Sequence, residues 1–386
     1  MDLKIAIGVC YGRSGSFFLH SLLDGHPQIM SLPPYMMNLA QQISDTLEMT
    51  NEAFLEQFVN DFKNLFARNL EDCASNKYVN VNNNMARTQT GLLRLNVDSF
   101  KEKLLHFLAD SNHSFKSRFI GVHLAVYELL GIPTANKEVI FFQLHTPNYV
   151  LMRLLREEMG HLWVCHSVRD PIATFVRMCV AHNNDAKSTE NYQVDQIRNQ
   201  MESCFRHFLY AGCDLIDDTN SDSLAIKLEQ LHENPKGSLS AVCQFLEVDW
   251  DDILLIETVN HGQNWEGIIG DTTGFDLEKT LANNAKYRNS ISEFDLIRLE
   301  KIARQRLIKW QYPLYFEHVK SALDFEAPYD FELLPYIDND TIKQNIKSAY
   351  DAKIKGNRGD LHRAILKTIN YMPEQSAPYS PIADIK

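Results

Sequence analysis

The 386-residue chain is short of the features that mark a membrane, secreted or nucleic-acid-binding protein. No stretch approaches the about 18 uninterrupted apolar residues of a bilayer-spanning helix, and the first apolar run, from Leu3, is far shorter. No leader pattern precedes that run, so a cytoplasmic location is expected. The seven cysteines (Cys10, Cys73, Cys165, Cys179, Cys204, Cys213, Cys243) are scattered, odd in number and form no C-x-x-C pair. This argues against a disulfide framework and against a thiolate zinc site, and leaves them as small buried hydrophobes. Basic charge is also short: 38 Lys+Arg stand against 50 Asp+Glu, a formal charge of -12. A general nucleic-acid binder needs net basic surface to displace counterions, so any anionic ligand must be held by a local basic cluster.

What is present is the balance of a globular protein, 45% hydrophobic and 23% charged. The length suits one elaborated α/β domain as well as two or three domains of about 150 residues. Leu3 to Cys10 (LKIAIGVC) reads as a buried strand; the turn Tyr-Gly-Arg-Ser-Gly-Ser follows, and a helix begins at Phe17 and runs to Asp24, stopped by Gly25-His26-Pro27. Further strands are expected at Glu138–Leu144, Leu162–Val168 and Ser223–Leu228. Helices are expected at about Tyr149–Met159, Ile172–His182 and from the turn at Asn234-Pro235 to Leu246. Apolar runs alternating with helices indicate parallel β–α–β units with helices on both faces of the sheet.

Residues 31–120 read as mostly helical, with helical spacing at Asn51–Leu70 and Phe100–Leu108 and an asparagine-rich loop at Asn76–Asn84. The aromatic stripe of 51–70 is expected to be core. Ser292–Trp310 is the clearest amphipathic helix, with Ser292 as its N-cap. Beyond Pro313 the chain is polar, with helical signals at Thr341–Ala352 and Leu361–Tyr371 and a Pro- and Ser-rich end expected to be poorly ordered.

Ligands of such sheets bind at the carboxyl ends of the strands, where three polar turns fall: Tyr11–Ser16, His145–Pro147 and Arg169–Pro171. Gly12-Arg13-Ser14-Gly15-Ser16, opening into a helix N-terminus, makes an anion cradle. Glycines let the backbone approach, free N–H groups and the helix dipole face the anion, and Arg13, Ser14 and Ser16 add donors. It is not a Walker A loop. Its G-x-x-x-x-G-K-[ST] spacing and lysine are absent, and no acid after EVIFFQL is placed to hold magnesium. A phosphate or sulfate bound without a metal fits better. Arg169, before Asp170-Pro171, reads either as a second anion clamp or as the partner of a structural salt bridge with Asp170 or another acid. Arg177, eight residues on along the next helix, lies within reach of the same region.

These two elements in this order resemble the PAPS-dependent sulfotransferase family, particularly its bacterial and carbohydrate branches. Arg13-Ser14-Gly15-Ser16 is similar to the family's 5′-phosphosulfate loop, and His26-Pro27-Gln28-Ile29 to a frequent continuation. Arg169-Asp170-Pro171 is similar to its 3′-phosphate motif, R-[DN]-P with a serine eight residues after the arginine; here Arg177 holds the serine position. Phe17 stands where relatives often have Thr or Ser, and is expected to pack beneath the loop. Lys227–Leu231 with Asn234-Pro235 and Cys243–Leu246 resembles the "E-x-L…P…FL" segment. Lys286-Tyr287-Arg288 and the closing helix to Gln311-Tyr312-Pro313 resemble the lid.

The resemblance spans about 1–315 and implies a P-loop-like three-layer α/β fold, a central mostly parallel sheet flanked by helices. It carries a helical insertion at about 31–120, and 316–386 remain as a C-terminal helical extension. It implies in-line transfer of a sulfuryl group from PAPS to a hydroxyl or amine of a small molecule or saccharide, with adenosine 3′,5′-bisphosphate as product and no metal. Gly12, Arg13, Ser14, Gly15, Ser16, Phe17, Arg169, Arg177, Lys286 and Arg288 would contact the donor. Many relatives have a glutamate shortly after the first helix, where this chain reads Ser31-Leu32-Pro33-Pro34-Tyr35. The candidate base is then His145 at a strand end, with His123 second; His20 and His166 sit inside a helix and a strand. Two other readings stay open: a P-loop-type small-molecule kinase, and a nucleotide-binding interaction protein without turnover. The acceptor and the oligomeric state are not written in the sequence.

Overall fold

Near-continuous apolar runs become strands buried on both faces, the signature of a parallel sheet covered by helices. In Lys4–Cys10 (KIAIGVC), alternation sends Ile5, Ile7 and Val9 into one core and Ala6 into the other. The computed structural model describes residues 3–10, 12–33, 39–40, 42–69, 72, 92–109, 114–145, 149–187, 204, 208, 222–264, 274–291, 293–315 and 380–381.

The chain opens with β1 (Lys4–Cys10), α1 (Ser16–Leu23) and β2 (Ile29–Ser31). Among the described residues α2 (Ile43–Thr46), α3 (Asn51–Asp61), α4 (Val97–Leu108) and α5 (Phe115–Leu129) then precede the next strand. Next come β3 (Val139–His145), α6 (Tyr149–Met159), β4 (Leu162–Val168), α7 (Pro171–Lys187), β5 (Ser223–Lys227), α8 (Leu228–Glu233) and α9 (Pro235–Leu246). A short hairpin, β6 (Thr258–Val259) and β7 (Gln263–Asn264), is followed by α10 (Leu277–Arg288) and α11 (Glu293–Lys309), and β8 is Ser380–Pro381.

The main sheet runs β2–β3–β1–β4–β5–β8, every pair parallel. The register pairs Cys10 with His145 on one side and with Ser167 on the other. The carboxyl ends of β1, β3 and β4 are therefore level, with β1 in the middle. The expected α/β class, parallel sheet and flanking helices are what the fold shows. One core holds α1 and α9 through Leu19, Leu22, Leu239 and Val242; the other holds the β2–β3 insertion through Phe54, Phe58, Phe100, Phe119 and Val122.

The insertion is helical because its starts are capped and its aromatic stripe is buried. Thr50, Asn96 and Ser114 each accept a backbone N–H three residues on. Phe58 stacks on Phe100 with ring centroids 5.3 Å apart, so the stripe is core as expected. Buried Arg118 joins it to the α2–α3 connection through Asn51 Oδ1 (3.1 Å) and the carbonyls of Thr46 and Met49.

Several elements differ from the sequence reading. β2 is a strand of only three residues that the sequence reading did not expect. The strand read to Leu228 stops at Lys227, because Leu228 opens α8, a six-residue helix ended at Asn234, whose side chain caps α9 at Gly237 N. The Asn51–Leu70 helix ends at Asp61 and tightens into a 3₁₀ turn at Lys63–Leu65. The asparagine-rich loop, the Ser292 cap and the signals at 341–352 and 361–371 lie outside the described residues. Cys165, Cys179, Cys204 and Cys243 are buried, with no disulfide among the described residues. Among the described residues no helix is long and apolar enough to cross a membrane.

Candidate active site

The first turn folds as the glycines require. Gly12 and Gly15 hold φ of +85° and +91°, a region costly for residues with a Cβ. A Cβ on Gly15 would stand 2.6 Å from Cδ1 of Leu228, and one on Gly12 would run into Sδ of Met178. The loop is thus pressed between Met178 within α7 and Leu228 at the start of α8. Gly15 N-caps α1 without a side-chain bond, its carbonyl accepting from Leu19 N at 3.1 Å. The helix therefore presents its N-terminus with no side-chain acceptor from the cap residue, the arrangement that suits an anion.

Arg13 is exposed, while Ser14 and Ser16 are buried. Gln143 of β3 fixes the loop's exit by donating to Ser16 O at 2.7 Å. Phe17 is half-buried and packs against the core on the insertion side.

The second turn meets the first. Arg169, 5% exposed, donates from Nη1 toward Arg13 O at 3.5 Å and from Nε to Asn284 Oδ1 at 2.7 Å. It makes no salt bridge with Asp170 among the described residues. Asp170 is committed elsewhere: Oδ1 accepts from Ile172 N and Ala173 N, each at 3.0 Å, capping α7, and Oδ2 accepts from Arg288 Nε at 2.6 Å. Arg169 is thus held by Asn284 rather than by Asp170. Burial lowers the Arg169 pKa, opposed by the negative charges of Glu229 and Asp170.

Arg177 completes the cluster. Burial lowers its pKa first, then the positive charge of Arg169, and the Arg13 guanidinium acts in the same sense. Its guanidinium lies 5.9 Å from the Tyr287 ring centroid, and no carboxylate pairs with it among the described residues. Three guanidinia thus share one corner of the sheet, two of them desolvated, which favours an anionic occupant. Beside them a cavity of about 20 Å³ is lined by Ser14, Ser167, Arg169, Thr174, Phe175 and Trp310 among others. The buried Ser167 Oγ and Thr174 Oγ1 have no partner among the described residues. A helix start without a side-chain cap, guanidinia without a carboxylate partner among the described residues and orphaned hydroxyls are what an anionic ligand would satisfy.

A profile described as the sulfotransferase family matches residues 6–252, which carry both turns. The chain belongs to the sulfotransferase family. Among solved structures this sulfotransferase is similar to the sulfotransferase domain from the curacin biosynthetic pathway: 15% identity, TM-score 0.48, covering 81% of this chain and 99% of that one. It is similar as well to the sulfotransferase domain of the Synechococcus PCC 7002 olefin synthase (17%, TM-score 0.46, 81% and 97%). A Mycobacterium avium sulfotransferase also matches (14%, TM-score 0.37, 81% and 78%). No curated protein sequence matches.

The other candidate residues differ in exposure and in partners. Lys286 is exposed on α10, its Nζ 5.9 Å from the Tyr287 ring centroid. Arg288, read as a lid residue, is buried behind Asp170 and lies 4.9 Å from the Tyr315 ring centroid. His145 ends β3 level with Cys10, and its side chain lies outside the described residues. His123 is buried in α5 against Phe119, its Nδ1 on Phe119 O at 2.8 Å; burial lowers its pKa to about 4. None of its described contacts involves the loop or Arg169, so the structure does not bring it to the arginine corner.

Sequence reasoning missed Glu229, Asn284 and Tyr312 as parts of the site. Glu229 had a signal, the L-E-Q-L segment; Asn284, in an Asn-Asn pair on a polar helix, had none.

Proposed function

We propose that this sulfotransferase moves a sulfuryl group from PAPS to a hydroxyl or amine of a small molecule or saccharide. The observation that carries this reading is the meeting of the two arginine corners at the Arg169–Arg13 contact. A donor with separate 5′ and 3′ charged ends needs two such corners at one sheet edge. Arg13 and the N–H groups opening α1 face the 5′-phosphosulfate; Arg169 and Arg177 take the 3′-phosphate.

In the transfer, the acceptor oxygen or nitrogen attacks sulfur as the bond from sulfur to the bridging oxygen breaks. Adenosine 3′,5′-bisphosphate leaves with that electron pair, and the acceptor proton passes to a base. Charge grows on the bridging oxygen, where Arg13 and the α1 amides stabilise it without reorganising. A sulfuryl group carries less negative charge than a phosphoryl group, so these groups suffice without magnesium. His145, at the end of β3 beside the loop, is the base assigned here. His123, neutral and locked on Phe119 O, is the weaker candidate.

The test is transfer of labelled sulfate from PAPS across hydroxylated small molecules, saccharides and amines, with and without chelator. Chelator-resistant labelling of an acceptor is expected. Magnesium-dependent phosphorylation from ATP would contradict it in favour of a kinase. Tight binding of adenosine 3′,5′-bisphosphate without transfer to any acceptor would favour an inactive nucleotide-binding protein.

A further inference from the structure

The side chain that meets Arg169 is itself held on two sides. Asn284 Oδ1 accepts from Arg169 Nε at 2.7 Å, and Asn284 Nδ2 donates to Glu229 Oε1 at 2.7 Å. Glu229 Oε1 also accepts from Asp170 N at 3.2 Å, and Oε2 accepts from Tyr312 OH at 2.9 Å. Arg169, Asn284, Glu229 and Tyr312 are all buried. The chain of bonds thus runs from Tyr312, just beyond α11, to Glu229 on α8, Asn284 on α10 and Arg169 just after β4.

We infer that Asn284 is a positioning residue that aims Arg169, and that Glu229 and Tyr312 hold Asn284 in that orientation. This rests on the reading of Arg169 as the 3′-phosphate group. A guanidinium binds a phosphate best through a two-donor edge. Anchoring Nε on Asn284 leaves the Nη edge for the loop side, where Nη1 already points toward Arg13 O.

An amide suits the task better than a carboxylate. It accepts from Arg169 without neutralising it, so the full charge stays available to the ligand. Its other end must donate, and Glu229 makes that end unambiguous. The Glu229 charge, one step behind, favours the charged form of Arg169.

The same helix repeats the device one turn on. Arg288, four residues after Asn284 and so on the same face, holds Asp170. α10 therefore grips two consecutive residues of the second turn. The Lys227–Leu231 segment and the Gln311–Pro313 stretch acquire a role here: they carry Glu229 and Tyr312, which couple the segment after α11 to the 3′-phosphate end of the site.

The test is calorimetric titration of wild type, Asn284→Ala, Tyr312→Phe and the double variant with two probes, adenosine 3′,5′-bisphosphate and adenosine 5′-phosphate. Asn284→Ala should weaken the bisphosphate about tenfold, the scale of one hydrogen bond to a charged group, and leave the 5′-phosphate unchanged. Tyr312→Phe should weaken the bisphosphate about threefold, and the double variant should be no worse than Asn284→Ala, because the two act in series. In turnover the donor KM should rise while kcat holds. Equal losses for both probes would reduce the network to general structural support and overturn the inference. So would a Tyr312→Phe protein whose preference for the bisphosphate is that of wild type, and that conservative variant decides the matter if Asn284→Ala fails to fold. A wild type that binds both probes alike would instead remove the reading of Arg169 itself.

Discussion

Arg169 reaches from the end of β4 to within 3.5 Å of the carbonyl oxygen of Arg13, a residue 156 positions away. The parallel pairing of β1 with β4 makes that contact possible, because it sets Cys10 beside Ser167 and so brings the two following turns together. Exposed Arg13 and buried Arg169 should then fail differently. Arg13→Ala should cut kcat about 10²–10³-fold, the usual cost of one donor to developing charge, with little change in thermal midpoint. Arg169→Ala should mainly weaken adenosine 3′,5′-bisphosphate, read by calorimetry. An Arg13→Ala protein that turns over normally would contradict the first assignment.

Arg177 is opposed by burial and by two like charges while no carboxylate pairs with it among the described residues. Arg177→Ala is therefore expected to raise the thermal midpoint of the ligand-free protein and to lower bisphosphate affinity. Thermal melts with and without ligand check both signs at once. A lower midpoint without ligand would show that Arg177 is structural.

Gly15 combines φ +91° with a Cβ position 2.6 Å from Leu228. Gly15→Ala should cost at least about 1–2 kcal/mol from the backbone alone. Pairing it with Leu228→Ala relieves the contact but not the φ strain, so the double variant should not recover the wild-type urea midpoint. Full recovery would place the whole cost in the contact.

Asp170 and Arg288 form a buried pair at 2.6 Å. Removing one partner strands the other, so Arg288→Ala should destabilise by about 3–5 kcal/mol in denaturant unfolding. A cost below 1 kcal/mol would mean that the site relaxes around Asp170.

How much of this was legible follows from what each residue shows locally. β1 and β4 read correctly because a doubly buried strand is a nearly unbroken apolar run. β2 did not, since three residues make no pattern. The loop and Arg169 were visible because glycine and arginine at a strand end carry chemistry by type. Asn284 was not, because a polar residue on a helix looks the same whether it faces solvent or a buried arginine, and Glu229 showed only as part of its Leu-Glu-Gln-Leu segment. His123 reads as the second candidate base because the sequence does not show its burial in α5 or its bond to Phe119 O.

Histidine burial also sets an acid limit. Burial lowers His20, His123 and His261 to about 4, with Asp24 pulling His20 and His261 upward and Lys137 pushing His261 down. A histidine whose folded pKa lies below its unfolded value of about 6.5 costs nothing above that pH. As pH falls from 6.5 to 4 the unfolded state binds the proton first, so stability declines, by about 3 kcal/mol for His123 alone. Unfolding followed against pH should steepen below 6.5, and His123→Gln should move the acid midpoint to lower pH. An unchanged midpoint would mean that His123 is protonated in the folded protein.

The most direct measurement is a crystal structure of the complex with adenosine 3′,5′-bisphosphate. One phosphate is predicted on the Gly12–Ser16 loop and the start of α1, the other between Arg169 and Arg177. A ligand that touches only one of those corners, or lies elsewhere on the sheet, would contradict the account.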